Sequence, residues 1–369
     1  MAKMIFYPVG NADSTLIHLN DGRLVLKDYF CPHLEEDDKR IDLASELNDY
    51  VRSLDRDYID VVAFSHADDD HLHGAEDFFW LNHAKKYQDD SRISILELHV
   101  PANFIIESGL ENTAKVIQNE ARYRLKEGKG ILIHGYPEQL EEWFTEEGID
   151  PKSREGMIIH AGDLIPGFSA EKGEVEIFIH APFSFKIEDE EENRNDNSLV
   201  WQITFFEGDE VCKAILGGDA GHETWANILF LTEKNDNEER LIFDLFRISH
   251  HCSYKALSDD KGETETTPRE EVEKLFQQGN ENCILISSSL PIPNEDTDLP
   301  PHFQAKAFYK KVVKDKGNES NFLVTMEWRD SNNPKPIIVE TGKYGFTIKK
   351  SGGNAVASQI TSRQSRRVG

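Results

Sequence analysis

Four potential metal ligands lie within six residues of one another, directly after a short apolar run. The run 61–64 predicts a buried strand, and the segment that follows places at its C-terminal end His66, Asp68, Asp70 and His71. Imidazole and carboxylate groups suit zinc or manganese, and ligands that alternate along a turn can face two adjacent ions, with the first pair on one ion and the second pair on the other. A run of aspartates is often only a solvated loop, but the H-x-D-x-D-H order after a strand favours a metal site.

Further ligands are expected at the ends of two later strands. The run 211–216 ends in two glycines and Asp219, where the small residues let the backbone approach a site closely. Asp219 is therefore the candidate for a carboxylate that bridges both ions. The run 241–248 leads to His250 and His251, and either can be a ligand. His250 is preferred because it lies nearer the strand end, and His251 is the alternate.

Together these motifs resemble the metallo-β-lactamase superfamily, and within it the soluble hydrolase domain of ComEC-type DNA-uptake competence proteins. The resemblance runs in order from about residue 4 to about residue 310 and is carried by segments 9–14 (with Ala12 in place of a glycine), 25–28, 66–74, 195–200, 218–219 and 250–253. It implies an αββα sandwich of the α/β class with a dinuclear site at the upper edge of the two sheets. It also implies a hydrolase that uses two divalent ions, zinc or manganese.

The chain departs from that family pattern in two places. Segment 195–198 lacks the histidine that many members carry, so the first ion would have fewer protein ligands, which favours a labile manganese-like ion over tightly held zinc. His180, at the end of a predicted strand, is an alternate ligand; a local hydrogen bond is the other interpretation. Cys252 replaces a glycine and is interpreted as a small buried residue rather than as a soft ligand.

Length and composition favour one elaborated domain over residues 1–349, with 99–156 as a helical insertion or lid and 350–369 as a basic, disordered tail. The four cysteines show no paired spacing, which argues against a disulfide framework and for a cytoplasmic location. No signal peptide or membrane-spanning run is found, so we expect a stand-alone relative without the ComEC-type membrane channel.

The net charge of −27 disfavours long duplex DNA as a substrate, because Lys and Arg number 41 against 68 Asp and Glu. Much of the excess lies in clusters at 35–38 and 188–192 that are typical of solvated loops. Bound cations would also reverse the field within the cleft. A short oligonucleotide, a nucleotide or another phosphoester therefore stays compatible with the sequence, and no membrane partner is expected.

Four residues are candidates for the chemistry itself. Asp70 is the best base before metal binding, Lys255 and Tyr254 can stabilise developing charge or protonate a leaving group, and His302 can transfer a proton. Surface placement, and a helix start for His302, are the alternatives.

The predicted function is a phosphodiesterase or nuclease. The alternatives are a small-molecule hydrolase acting on a lactone, thioester or cyclic nucleotide, and a partner-dependent subunit of a bacterial defence or toxin system.

Overall fold

Strands and helices alternate along the chain in the computed structural model, which describes residues 1–170, 174–183, 194–208, 210–343 and 345–349. Within these ranges the strands are β1 (Lys3–Phe6), β2 (Thr15–His18), β3 (Leu24–Lys27), β4 (Tyr58–Ala63), β5 (Phe79–Trp80), β6 (Ile93–Pro101), β7 (Ile131–His134), β8 (Ile158–Ile159), β9 (Val175–Ala181), β10 (Val200–Glu207), β11 (Glu210–Leu216), β12 (Phe243–Arg247), β13 (Gly279–Ser287), β14 (Phe322–Val324), β15 (Ile337–Glu340) and β16 (Thr347–Ile348). The α-helices in the same ranges are α1 (Leu43–Arg52), α2 (Ala75–Phe78), α3 (Ala102–Ile106), α4 (Asn112–Glu127), α5 (Glu138–Glu146), α6 (His222–Lys234), α7 (Glu270–Gln277) and α8 (Phe303–Asp315).

The described strands form two mixed sheets. The larger has the order β16-β15-β1-β2-β3-β4-β6-β7-β8, with β5 paired to β6, and the smaller has the order β14-β13-β12-β11-β10-β9. Strands β3, β4, β6, β7 and β8 pair in parallel, as do β11 to β14. Because parallel strands of one sheet share a C-terminal edge, the segments that follow β11 and β12 lie side by side in the smaller sheet, whereas the segment that follows β4 leaves the larger sheet.

Three apolar clusters hold these layers together. One contains residues of both sheets, including Val61 and Trp201, so the two sheets share an apolar interface. A second joins the larger sheet to α1 through α5, and the third joins the smaller sheet to α6 through α8. The last three residues of β4, 61–63, are all apolar because both faces of the strand are buried there: Val61 belongs to the cluster between the sheets, and Val62 belongs to the cluster under the helices.

The described elements match the periodic segments of the sequence closely. Apolar spacing of i, i+3 and i+4 in the sequence predicts six helices, and each is present with both ends within three residues of the prediction, as frayed helix ends allow: 40–54, 113–126, 138–147, 221–232, 268–278 and 303–313. Segment 99–156 supplies β7 to the larger sheet and packs α4 and α5 into its apolar cluster, while α3 lies beside the candidate site. The acidic run 188–192 and the tail 350–369 lie outside the described residues.

The structure also describes the cysteines and the apolar character of the helices. All four cysteines are free thiols, and Cys212, Cys252 and Cys283 are buried. Among the residues whose positions are described, no helix combines the length and apolar character needed to cross a membrane.

Gly74 closes the ligand-bearing segment and begins α2 in a left-handed conformation, with φ of +78°. A Cβ at this position would lie 2.6 Å from the carbonyl oxygen of Cys31. We expect Gly74→Ala to destabilise the fold by roughly 1–2 kcal/mol for the left-handed backbone and a further ~1–3 kcal/mol for the steric conflict. Gly109→Ala is the matched control, because its φ is +76° and its Cβ would meet nothing within 4 Å. Urea unfolding in the presence of a chelator measures both, and equal losses would contradict the steric part.

Candidate metal centre

Four side chains from three strand ends converge on one point. One ligand atom from each lies within 4.8 Å of the others, and the four residues are Asp70, His71, Asp219 and His251. The His71 Nε2 atom is 3.3 Å from Asp219 Oδ1 and 3.6 Å from Asp70 Oδ2. The His251 Nε2 atom is 2.9 Å from Asp70 Oδ2 and 3.6 Å from Asp219 Oδ2. Two imidazoles and two carboxylates in this arrangement suit a divalent transition metal ion. We refer to these four residues as the four-residue cluster.

Local backbone structure explains how the chain places these ligands. Asp70 and His71 lie in a short 3₁₀ turn, Asp69–His71, just beyond β4, and Asp219 follows β11 after Gly218. Beyond β12, His250 and His251 have φ of 50° and 51°. Non-glycine residues in this region are uncommon and cost on the order of 1–3 kcal/mol each, so such strain is typically retained at functional sites.

Each cluster histidine is oriented by the nitrogen that faces away from the cluster. His251 Nδ1 donates to the carbonyl of Ser288 at 2.8 Å. His71 Nδ1 lies 3.2 Å from Asp28 Oδ2 and 3.0 Å from the hydroxyl of Ser65. A hydrogen bond at Nδ1 fixes the ring and leaves Nε2 available as a ligand, which is the usual arrangement of metal-binding histidines.

A buried group of charges supports the cluster from beneath. Asp13 and Asp28 form a second group with His71, and all three are buried. Their buried cationic neighbours are Lys27, 3.4 Å from Asp28, and Arg247, which pairs with Asp13. The buried aspartates, together with Asp70 and Asp219, outnumber these two cations. A divalent ion at the four-residue cluster would balance the excess.

Arg247 also fixes the turn that carries Asp219. Its Nη1 donates to the carbonyl of Gly218 at 2.7 Å, and the same atom lies 4.0 Å from Asp219 Oδ1. Burial lowers the pKa of Arg247 to about 9, which still leaves the guanidinium charged at neutral pH. Sequence reasoning did not single out Arg247, although a charged residue at the end of the apolar strand β12 is a usable signal.

His66 and Asp68 lie at one side of the four-residue cluster. His66 Nε2 is 3.4 Å from Asp68 Oδ2, and its Nδ1 is 3.0 Å from the Ser65 hydroxyl and 3.3 Å from the Ser198 hydroxyl. Within the described ranges, neither residue belongs to a group of three or more clustered ligand side chains. The other carboxylate oxygen of Asp68 accepts from Arg194 at 2.7 Å.

Buried polar atoms without partners test whether a metal ion fits here. Among the described residues, His66 Nε2, His71 Nε2 and Asp219 Oδ1 are buried and make no well-formed hydrogen bond. Their nearest partners are ion-pair contacts, His66 Nε2 with Asp68 Oδ2 at 3.4 Å and His71 Nε2 with Asp219 Oδ1 at 3.3 Å. Because the three atoms are ligand types and belong to the same site, a bound cation would satisfy them, and the donor set therefore fits a metal ion.

The pKa shifts of His71 and Asp219 show that the cluster stabilises positive charge. Burial lowers the pKa of His71, but the carboxylates of Asp219, Asp70 and Asp28 outweigh it and hold the pKa well above its usual value. Burial raises the pKa of Asp219, but the charges of His71 and His251 outweigh it and hold the pKa well below its usual value. The carboxylates thus stabilise a cation in their midst, whether a proton or a metal ion.

Besides His66, two of the histidines considered as ligands, His250 and His180, lie outside the four-residue cluster. The structure places His251 in it rather than the preferred His250, because three successive left-handed residues, 250–252, replace the alternation of an extended strand. Burial lowers the pKa of His250, whereas Asp219 acts in the opposite direction, so the ring lies within electrostatic reach of the site. His180 Nε2 instead contacts the carbonyl of Arg240 at 3.0 Å, which is the local hydrogen bond weighed as its alternative.

Of the residues proposed for proton transfer, Tyr254 and Lys255 follow His251 closely in the sequence, and His302 lies beside Tyr254. Lys255 is exposed, and Tyr254 is half-buried with its ring centroid 5.0 Å from that of His302. His302 Nδ1 accepts from the backbone N–H of Tyr254 at 3.4 Å, and its buried Nε2 has no hydrogen-bond partner among the described residues. Cys252 is buried, burial raises its pKa, and it belongs to no group of three or more clustered ligand side chains within the described residues.

A cavity of about 300 Å³ opens next to His66. Its walls come from the 66–67 segment, from α3 with the residues on either side of it, and from the 194–197 segment. The lining residues are His66, Ala67, Pro101, Asn103, Phe104, Glu107, Arg194 and Asn197. This volume lies at the lower end of the range for small-molecule sites.

Comparison with known proteins finds distant similarity to solved structures. No protein-family model matches the chain, and no curated protein matches it. Among solved structures the chain is similar to the metallo-beta-lactamase GOB-18 from Elizabethkingia meningoseptica, with 12% sequence identity and a TM-score of 0.31 over 74% of this chain and 87% of that chain. A likeness at that identity and TM-score does not by itself establish the fold or the chemistry, which rest on the geometry of the chain's own residues.

Proposed function

We propose that the chain is a metal-dependent hydrolase, and that its two sheets and flanking helices form the αββα sandwich of the metallo-β-lactamase superfamily. The observation that carries this proposal is the four-residue cluster, which brings together ligand atoms from the ends of β4, β11 and β12 within 4.8 Å. Strand β4 belongs to the larger sheet and β11 and β12 to the smaller, so the carboxyl ends of strands from both sheets meet at the cluster, and carboxyl ends of strands are where open α/β proteins place their ligands. The closer relation to ComEC-type hydrolase domains rests on the sequence motifs alone.

The chain's own residues divide the work of such a site. A divalent cation, zinc or manganese, would supply a nucleophile at neutral pH and polarise the bond under attack. Asp219 contributes one oxygen toward each cluster histidine, and Arg247 holds the turn that positions it. Asp70 Oδ2 lies 2.9 Å from His251 Nε2, so its carboxylate is committed to the cluster, which leaves His302, with an unpartnered buried Nε2 among the described residues, as the proton-transfer candidate. A second ion would be held by His66 and Asp68.

The favoured substrate is a phosphodiester in a nucleotide or short oligonucleotide. The net charge of −27 opposes long-range attraction of polymeric nucleic acid. Near the site, the Arg194 guanidinium is already paired with Asp68 and Glu107, at 2.7 and 2.6 Å. Because these carboxylates neutralise much of its charge, the Arg194 guanidinium attracts the phosphates of a polymer less strongly. This favours a small substrate over a long duplex.

The same observations favour one other candidate function, a small-molecule hydrolase acting on a lactone or thioester. The cavity next to His66 mixes the apolar side chain of Phe104 with polar side chains, as a pocket for a neutral ester also would. Nothing in the acidic surface discriminates against an uncharged substrate.

A substrate panel tests the proposed function. The purified chain would be assayed with manganese or zinc, and with chelator, on bis-p-nitrophenyl phosphate, cyclic nucleotides, short single-stranded and duplex DNA, and a lactone. We expect metal-dependent hydrolysis of phosphodiesters, faster on short single strands than on duplex. Hydrolysis of the lactone alone would support the second candidate. Absence of metal binding, measured by elemental analysis after dialysis, would remove both.

A further inference from the structure

Arg194 lies across two carboxylates on the side of the site where His66 and Asp68 stand. Its Nη1 donates to Asp68 Oδ1 at 2.7 Å, its Nε donates to Glu107 Oε1 at 2.7 Å, and its Nη2 lies 2.6 Å from the same Glu107 oxygen. Charge-assisted contacts of this kind are the stronger class of hydrogen bond, and a guanidinium held by two carboxylates is ordered more firmly than a single surface pair. A fixed positive charge thus lies directly on one of the two candidate ligands of a second ion.

The two metal positions are unequal in the number of ligands that the chain offers. The four-residue cluster supplies four donors, whereas His66 and Asp68 form no group of three within the described residues. The Ser198 hydroxyl, which lies 3.3 Å from His66 Nδ1, accepts from the backbone N–H of Asp219 and so orients these residues rather than adding a charged ligand. Fewer charged donors mean weaker binding at the His66 position.

The negative charge of Asp68 is also partly neutralised by Arg194 when no second ion is bound. Asp68 Oδ1 accepts from Arg194 at 2.7 Å, and Asp68 Oδ2 lies 3.4 Å from His66 Nε2. That charge is then shared with the guanidinium, and a dication binding to Asp68 Oδ2 would experience repulsion from Arg194 on the neighbouring oxygen. The guanidinium supplies, at this position, the positive charge that a second metal ion would otherwise supply.

We propose that Arg194 stands in for a second tightly bound metal ion, so that the chain holds one divalent ion firmly at the four-residue cluster and a second only weakly at His66 and Asp68. This inference rests on the proposed function, since it assumes that the four-residue cluster binds metal. The inference and the proposed function can be tested separately. Two ions bound with equal affinity would agree with the proposed function but contradict the role of Arg194.

Metal titration of the apo protein tests the inference without any activity assay. Isothermal titration with manganese, with zinc as a second probe and native mass spectrometry for stoichiometry, would be applied to the wild type, Arg194→Gln and Arg194→Lys. We expect one tight equivalent and a second at least about tenfold weaker in the wild type. Arg194→Gln should tighten the second equivalent by about tenfold or more, and Arg194→Lys, which keeps the charge, should change it less.

Two further variants test whether tighter binding of the second ion arises from the contact between Arg194 and Asp68. Arg194→Gln with Asp68→Asn should lose the strengthened second equivalent, because the freed carboxylate is then absent. Arg23→Gln removes an arginine from an ion pair with Asp21, in the turn after β2, and changes the net charge equally; it should leave both equivalents as in the wild type. Two equally tight equivalents in the wild type, or an Arg194→Gln variant that binds as the wild type does, would overturn the inference. Loss of all metal binding would instead overturn the proposed function together with it.

Discussion

Replacing Asp219 with asparagine should abolish hydrolysis and remove the stabilisation that metal gives to the fold. Asp219 is buried, with its two oxygens 3.3 and 3.6 Å from the Nε2 atoms of His71 and His251. Asparagine keeps the shape of the side chain but removes the negative charge that a cation requires. A metal ion that binds only the folded state adds about 2.7 kcal/mol at a hundredfold excess over its dissociation constant. We expect this increment in the wild type and almost none in the variant, measured by thermal or urea unfolding with metal and with chelator.

Asp60→Asn is the matched control for that experiment. Asp60 is a partly buried carboxylate on β4, the strand that leads to His66, but it accepts from the backbone N–H of Leu24 and pairs with Arg56. Its substitution should lower stability equally with and without metal, because no cluster ligand is touched. If Asp219→Asn kept the full metal-dependent increment, the carboxylate would have no part in metal binding.

The strand-end ligands could be inferred from sequence because short-range patterns carry them. An apolar run followed at once by ligand residues predicts a site at a sheet edge, and β4 and β11 end as that pattern requires, before His66 and before Asp219. The parallel pairing of β11 with β12 then brings their ends together. Both features follow from strand periodicity and sheet topology, which local sequence largely determines.

The choice between the two adjacent histidines could not be made from sequence in the same way. Alternation of side chains holds only on an extended strand, and β12 ends at Arg247, before the histidines. Residues 250–252 take positive φ values that no local sequence rule forecasts for histidine. The geometry is instead imposed by tertiary contacts, including the bond from the backbone N–H of His250 to the carbonyl of Gly218.

Charges that approach the site from distant segments were also beyond sequence patterns. Arg194 contacts Asp68 across 126 positions of sequence separation, and Arg247 pairs with Asp13 between the two sheets. Such pairs depend on how sheets and loops are placed relative to one another, not on local periodicity. Segment 99–156 had the same difficulty: its helices were predictable, but only the structure shows that β7 pairs with β6 in the larger sheet.

Metal binding should distinguish the two adjacent histidines. His251→Ala should lose the tightly bound ion, whereas His250→Ala should keep it. His251 presents Nε2 to the cluster at 2.9 Å from Asp70 Oδ2, while its Nδ1 donates to the carbonyl of Ser288 at 2.8 Å. That carbonyl fixes the tautomer whose Nε2 lone pair can bind a cation. Removing a ligand should weaken binding by more than the roughly 10- to 100-fold seen when only a partner that orients a ligand is lost.

Equilibrium dialysis with manganese or zinc, followed by elemental analysis, distinguishes the two variants, and circular dichroism checks that each retains its fold. His250→Ala should keep one equivalent of metal, and any loss of turnover would then place its ring on the substrate side of the site. His73→Ala is the control, because His73 is an exposed histidine of the same ligand-bearing segment that pairs with Asp69 instead of the cluster. If His250→Ala lost the equivalent and His251→Ala retained it, the ligand would be His250, and the left-handed turn at 250–252 would have to present the other ring to the metal.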